Sequence, residues 1–271
     1  MARTLDYEHV LLEIGDDHIA TITLNRPEKL NAWTPQMIRG VLEAFAEVNR
    51  DETVRVVVLT GAGRAFSAGA DVAAWDAELQ AGADTVAGRR KGKERTNQLP
   101  IAARNCRVPV IVKVRGYAVG MAMDFALAAD LRVTTEDAKW SMFYIHRGLV
   151  ADDGGPWLLP RMIGFPKTAE LIYFGDMITG KDAAEKWGFV NKAVPADELD
   201  ATVDEWARKI VAGAPIAMEL VKRAMLMAEN QTLEQHMEQV SYYAEVVGST
   251  DDIKEGMRAF VEKREAVFQG R

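Results

Sequence analysis

Two apolar runs, each closing on a glycine-marked turn, constrain this chain more than any other feature. Val54-Arg-Val-Val-Val-Leu-Thr60 leads through Gly61-Ala-Gly63 into Phe66-Ser-Ala-Gly-Ala-Asp71, and Val108-Pro-Val-Ile-Val-Lys-Val114 leads into Arg115-Gly-Tyr-Ala-Val-Gly120. Short, β-branched and bounded by glycine, both runs read as buried strands, the second followed by a helix that begins near Gly120. The first N–H groups of that helix have no intrahelical acceptor and carry the positive end of its dipole. If the strands lie side by side in one sheet, their turns emerge at the same end. Each then offers a backbone N–H to one point in space, the arrangement of an oxyanion hole.

At 271 residues the chain is long enough for one large domain, or for a core with an appendage. A formal net charge of −7 argues against non-specific binding to nucleic acid or acidic lipid, so basic residues that meet an anionic ligand are few and placed. The single cysteine, Cys106, cannot form an internal disulfide and suits a reducing compartment as a packing residue. No apolar run approaches the roughly 18 residues needed to span a membrane, and the first residues lack the apolar core of a signal peptide. A cytoplasmic protein is expected.

Taken in order, residues 8–14 and 18–25 are short strands joined at Gly15-Asp-Asp17, and Pro27 stops the second because it has no N–H for the ladder. Thr34-Pro35 opens a helix whose apolar positions are Ile38, Val41, Leu42, Phe45 and Val48. A polar segment at 76–98 carries the basic run Arg89-Arg-Lys-Gly-Lys-Glu-Arg95, either a solvated helix face or a contact for a phosphate or a neighbouring subunit. A strand at 131–135 and helices after Gly155, at 166–174 and at 181–187 follow, then a strand at 189–194. From 197 onward only helices are expected, at 197–213, 215–228, 231–246 and 250–264. Residues 1–196 therefore read as an α/β core and 197–271 as a helical region whose apolar positions need a large partner surface.

Together these words resemble one family. Asn25-Arg-Pro-Glu-Lys-Leu-Asn-Ala32, Leu59-Thr-Gly-Ala-Gly63, Phe66-Ser-Ala-Gly-Ala-Asp71, Pro109-Val-Ile, Gly116-Tyr-Ala-Val-Gly120, Gly154-Gly155, Leu159-Pro-Arg161 and Phe260-Val-Glu-Lys-Arg264 stand in the order of the crotonase superfamily, the enoyl-CoA hydratases and isomerases. The resemblance covers nearly the whole chain. It implies a spiral of repeated ββα turns with a C-terminal helical trimerisation region. The expected partner is an acyl-CoA thioester, the assembly a homotrimer or a dimer of trimers, and no cofactor is required beyond the coenzyme A of the substrate. It also implies that the Ala70 and Met121 N–H groups hold the enolate oxygen. Arg26, Lys29, Ala68, Asp71, Gly120, Tyr144, Phe260 and Lys263 are the candidate contacts for substrate and coenzyme A. For Arg26 and Lys29 a solvated turn is the other reading; for Phe260 and Lys263, a plain amphipathic helix.

The acids and bases depart from the family pattern. Where a typical hydratase carries two glutamates that hold water, this chain has Asp124 and Tyr144, and a phenol with an ordinary pKa of about 10 cannot replace a carboxylate as base. Asp152, eight residues after Tyr144, stands where dienoyl-CoA isomerases and epoxyphenylacetyl-CoA isomerases carry a working aspartate. Asp152 and Asp153 also suit a helix N-cap, and Asp124 suits the dipole of its helix. Met121, Met123, Trp140, Phe143 and Tyr144 read either as pocket lining or as core. His146 has no metal-ligand spacing around it, and Ser67 has no Ser-His-Asp context. The expected reaction is double-bond isomerisation of an enoyl-CoA by Asp152. Hydration by Asp124 with Asp152, thioester hydrolysis or displacement by Asp152, and an inactive CoA-binding scaffold stand as alternatives.

Overall fold

The computed structural model describes residues 2–73, 85 and 96–271, so the basic run at 89–95 lies outside the described residues. Strands β1 (Arg3–Tyr7), β2 (Val10–Ile14) and β3 (Ile19–Leu24) form an antiparallel meander, and helix α1 (Pro35–Arg50) leads to β4 (Val56–Gly61). Helix α2 (Gln98–Arg104) precedes β5 (Val110–Val114), β6 (Tyr117–Val119) and the short helix α3 (Met121–Leu127). Then come β7 (Leu131–Thr135), β8 (Lys139–Ser141), α4 (Gly155–Ile163), α5 (Phe165–Phe174), β9 (Ile178–Thr179) and β10 (Lys192–Val194). Four helices end the chain: α6 (Leu199–Val211), α7 (Pro215–Ala228), α8 (Leu233–Gly248) and α9 (Asp251–Glu262).

Seven strands make one sheet in the order β1-β2-β3-β4-β5-β7-β10, parallel from β3 onward, while β6, β8 and β9 form a second, smaller sheet. Strand β1 has no counterpart in the sequence reading. It is an edge strand whose alternation is limited to Leu5 and Tyr7, which are partly buried against the core on either side of exposed Asp6. The central strand β4 is apolar without a break because both its faces are covered. Val57 and Leu59 point into the core beneath α1, whereas Val56 and Val58 meet Ile111, Val133 and the Leu199, Val203 and Ala207 face of α6. The first helix of the expected C-terminal region thus lies on the sheet itself. Helix α1 begins as its sequence predicts, with the Thr34 hydroxyl accepting from the Met37 N–H at 3.1 Å.

Strands β4 and β5 are parallel neighbours, with Val57, Val58 and Leu59 opposite Val110, Ile111 and Val112. Their turns accordingly leave the same edge of the sheet, the edge at which open parallel sheets present ligand sites. Beyond it, Arg115-Gly116 carries the chain from the large sheet into β6 of the small one.

Helix α7 is fastened to this core by charge. The Lys222 ammonium is buried and donates to Asp130 Oδ2 at 2.7 Å and to the Val108 carbonyl at 3.0 Å. Asp130 also accepts the β5 amide of Val110. Arg107 pairs with Glu219, and Arg104 pairs with Glu229. Breaking a buried pair leaves one charge desolvated and uncompensated, which costs several kcal/mol. Lys222→Ala should therefore lower the unfolding free energy by about 3 kcal/mol, read from the urea midpoint at an unchanged slope.

Candidate active site

The first turn is built by pairing the neighbours of Ala70 and leaving Ala70 itself open. Trp33 and Ala70 form a parallel bridge in which the Trp33 N–H donates to the Gly69 carbonyl at 2.9 Å and the Asp71 N–H donates to the Trp33 carbonyl at 3.3 Å. In a parallel bridge of this kind the central residue makes neither bond. The Ala70 N–H has no acceptor among the described residues. On the other side, Ser67 bridges Ala118 of β6, with the Ser67 N–H on the Tyr117 carbonyl at 2.8 Å and the Val119 N–H on the Ser67 carbonyl at 3.3 Å. Gly69 is required here. Its φ is +93°, and a methyl at its Cα would stand 2.6 Å from the Val119 carbonyl.

That contact joins the second turn to the first. Val119 leads to Gly120, whose N–H donates to the Ser141 carbonyl at 2.8 Å, and Met121 is the first residue of α3, where no intrahelical acceptor exists. Ala70 and Met121 thus stand one and two residues from the Gly69–Val119 contact. The Met121 side chain is packed in the core. Arg132 holds the other end of α3, its guanidinium donating to the Ala129 carbonyl at 2.6 Å and to the Leu127 carbonyl at 3.2 Å. Burial pulls this guanidinium down to about 10, still a cation at neutral pH.

Sequence reasoning took Asn31 only as a letter in a motif, yet it ties the loop at 26–33 to this site. Fully buried, it accepts the Arg26 N–H through Oδ1 at 2.8 Å and donates to the carbonyls of Ala62 and Ala65 at 2.9 and 2.8 Å. Its own carbonyl accepts from the Ser67 hydroxyl at 2.8 Å. Beside it the Ala68 N–H donates to the Leu30 carbonyl. The Arg26 guanidinium lies 2.7 Å from Asp71 Oδ2, both side chains mostly buried, so these two candidates brace one loop against the other. Lys29 is exposed. Phe260 is 84% exposed and Lys263 closes α9 in a left-handed conformation; no described contact brings either to these turns.

Among the described residues, three acidic groups and one phenol complete the site. Asp124, in the first turn of α3, is fully buried. The Tyr144 hydroxyl donates to its Oδ2 at 2.5 Å and stands 3.1 Å from Asp153 Oδ2. Asp153 is buried as well, while Asp152 beside it is exposed. Helix α4 comes in closely through Gly155, where a methyl would meet Asp124 Oδ1 at 2.2 Å. The Tyr144 ring passes next to Gly120, at 3.8 Å from where a methyl there would be. The Tyr144 side chain therefore runs from beside Gly120 to the two buried carboxyls. Asp153, a candidate cap in the sequence, makes no side-chain cap on α4, whose N-cap is Gly154. Of the residues open to two readings, Met123 and Trp140 are core: both are fully buried, and the indole N–H of Trp140 donates to Thr134 Oγ1. Phe143 and Tyr144 are half-buried.

Burial pushes the Asp124 carboxyl up to about 7, against the opposing pull of the Tyr144 hydrogen bond and with the Asp153 charge adding to the rise. Burial, then the charges of Asp124 and Asp153, push the Tyr144 hydroxyl far up, so it stays protonated. Among the described residues no cluster of histidine, cysteine and acidic side chains has the arrangement of a metal site.

With this geometry in hand, the chain can be set beside known proteins. The family model described as enoyl-CoA hydratase/isomerase matches residues 15–271. A 1,2-epoxyphenylacetyl-CoA isomerase of Escherichia coli is 33% identical over 255 residues, covering 93% of this chain and 95% of that protein. An (E)-benzylidenesuccinyl-CoA hydratase of Thauera aromatica is 31% identical over 262 residues, covering 96% and 99%. The crystal structure of an enoyl-CoA hydratase from Bacillus anthracis superposes with a TM-score of 0.87 at 29% identity, covering 100% of this chain and 99% of that one.

The raised Asp124 value carries a stability signature. Folded, Asp124 keeps its proton to about 7; in the unfolded chain it releases it near 3.8. Between those values the folded state binds more protons, so stability falls as pH rises through the interval and levels off above 7. At 1.36 kcal/mol per unit, and with the folded group half deprotonated at pH 7, the native protein should lose roughly 2 kcal/mol between pH 5 and pH 7 relative to Asp124→Asn. Urea unfolding of both proteins at a series of pH values checks it.

Proposed function

We propose, for a chain that belongs to the enoyl-CoA hydratase/isomerase family and is an acyl-CoA enzyme of it, that the reaction is double-bond isomerisation of an enoyl-CoA with Asp152 as the base. The observation that carries this reading is the exposure of Asp152 beside two carboxyls that are buried behind Tyr144. A hydratase of the two-carboxylate kind needs both acids in contact with one water. Here Asp124 is fully buried and bonded to the Tyr144 hydroxyl, which leaves Asp152 as the exposed carboxylate of the three among the described residues.

One carboxylate suffices for a 1,3 proton shift. The thioester oxygen lies on the Ala70 and Met121 N–H groups, which bind it more strongly as charge accumulates there. Asp152 takes a proton from the carbon chain, the dienolate forms, and the same carboxyl returns the proton two carbons away. No atom is gained or lost. Preorganised donors of this type are worth about 10²–10³ each in rate, and a positioned base contributes a further 10²–10⁴ or so. The similarity to an epoxyphenylacetyl-CoA isomerase supports an isomerase, and that to a benzylidenesuccinyl-CoA hydratase is the support for hydration as the second reading. Exposed apolar residues on α7, α8 and α9, among them Val221, Met225, Met237 and Val246, support the homotrimer or dimer of trimers expected of such an enzyme. No helix among the described residues is long and apolar enough to cross a membrane.

The test is deuterium incorporation from heavy water into 2-enoyl, 3-enoyl and aryl-acyl CoA thioesters, followed by mass and absorbance. Asp152→Asn should lower carbon-bound exchange and double-bond movement by at least about 10²-fold with no mass gain of water in the native reaction. Gain of one water that depends on Asp124 selects hydration instead. Absence of exchange on any thioester that binds removes the enzyme reading.

A further inference from the structure

Trp33 touches both elements that present the Ala70 and Met121 N–H groups, one through its backbone and the other through its ring. Its N–H and carbonyl pair with Gly69 and Asp71, at 2.9 and 3.3 Å, and so set the register in which Ala70 stands between them. Its indole, 4% exposed, meets the Phe125 ring of α3 edge to face, with centroids 5.3 Å apart and planes at 87°. Phe125 follows Met121 by four residues, so it lies one turn along the same side of the helix whose first N–H is the second donor. We propose that Trp33 is a positioning residue for the oxyanion pair, its ring fixing how the Met121 N–H is aimed relative to that of Ala70.

Helix α3 depends on such a contact. With seven residues it makes few hydrogen bonds of its own, and its direction is decided by what packs on it. All seven residues are buried. The contact of Gly69 with Val119 sets how closely the two turns approach; the Trp33 ring acts beyond it, on the helix itself. The indole N–H of Trp33 meets no acceptor among the described residues, although buried indoles usually find one. An unmet buried donor costs stability, which a leucine at this position would not incur. The ring's bulk against Phe125 is what offsets that cost, and a phenyl group in its place retains the edge contact.

The consequence for the donors is unequal. Ala70 is fixed by the Trp33 backbone and by the Ser67–Ala118 bridge, neither of which needs the indole. A tilt of α3 therefore moves the Met121 N–H and leaves the Ala70 N–H in place. The thioester oxygen has to receive both hydrogens at about 2.7–3.1 Å, and a misplacement of about 1 Å can cost on the order of 10²-fold in rate. Such a loss falls on the charged transition state more than on ground-state binding, so it appears in kcat and spares KM.

This inference rests on the two amides receiving the thioester oxygen, and not on Asp152 or on isomerisation. The measurement is the infrared carbonyl stretch of butyryl-CoA and phenylacetyl-CoA labelled with carbon-13 at the thioester carbon, which donors to the oxygen move to lower frequency. Bound to the native protein, the band should stand below its position in solution. Trp33→Leu should lose most of that displacement and Trp33→Phe should keep most of it. Phe125→Leu, which removes the other ring, should reproduce the loss, and the double variant should lose no more than either. Trp187→Leu is the control: an indole 5% exposed with the same unmet N–H, and no described contact to either turn. It should cost comparable stability in urea and leave the displacement whole. A displacement unchanged in Trp33→Leu, reduced equally in Trp187→Leu, or lost additively in the double variant overturns the positioning role. A band that binding does not move in the native protein overturns it together with the oxyanion role of the two amides. In turnover, Trp33→Leu should lower kcat for carbon-bound exchange by about tenfold or more with KM within about twofold. Should no thioester undergo exchange, the isomerase reading fails and the infrared band still decides the role of Trp33.

Discussion

One backbone N–H, that of Ala70, is left without an acceptor among the described residues by the pairing of its neighbours. Folded chains satisfy nearly all their buried amides, and a free donor beside a sheet edge is readily taken by the nearest carbonyl. Here the Trp33–Ala70 bridge commits the amide and carbonyl of Trp33 to Gly69 and Asp71, the residues on either side of Ala70. Everything around the bridge keeps it in that register. Asn31 fills its capacity on four backbone and side-chain partners, the Arg26–Asp71 pair closes the rim, and the Gly69–Val119 contact fixes where the second turn begins. The second donor, on Met121, is kept free by the end of a helix, which is the cheaper solution because a helix start lacks acceptors anyway.

The acidic side of the site is organised around one side chain, Tyr144. A tyrosine is long and ends in a hydroxyl, so it spans from Gly120 to the buried carboxyls of Asp124 and Asp153. Asp124 then becomes part of the wall. Helix α4 can approach that wall because residue 155 is glycine, and the close approach removes Asp124 from solvent. The outcome is a division of labour between adjacent aspartates: Asp153 faces inward and Asp152 outward.

Much of the frame was legible in the residues. The unbroken apolar runs that became β4 and β5 announced strands covered on both faces, and Thr34-Pro35 announced the start of α1. What the runs could not say was which strands were neighbours, although side-by-side placement was the condition on which the oxyanion reading rested. Strand β1 escaped notice because its alternation amounts to two residues only, Leu5 and Tyr7. The opposite burial of Asp152 and Asp153 was illegible for a different reason. They lie in irregular backbone before α4, where neither a period of two nor one of 3.6 assigns a side, and only the partner, Tyr144, decides. Asn31 was present in a motif, but its role depends on carbonyls contributed by a segment more than thirty residues away.

That last dependence has a kinetic meaning. The contacts that shape the turn around Ala70 join residues separated by 34, 36 and 45 positions along the chain, and the turn also needs β6, which comes later still. Loops of that length close slowly relative to local helices, since their entropy is lost before the contacts return it. Helix α1 can form early from its own cap and apolar stripe, but the pocket cannot exist in any species where the parallel strands are still apart. Competence toward a ligand is therefore a late event on the folding route, and it distinguishes the finished molecule from a collapsed one with the same helices.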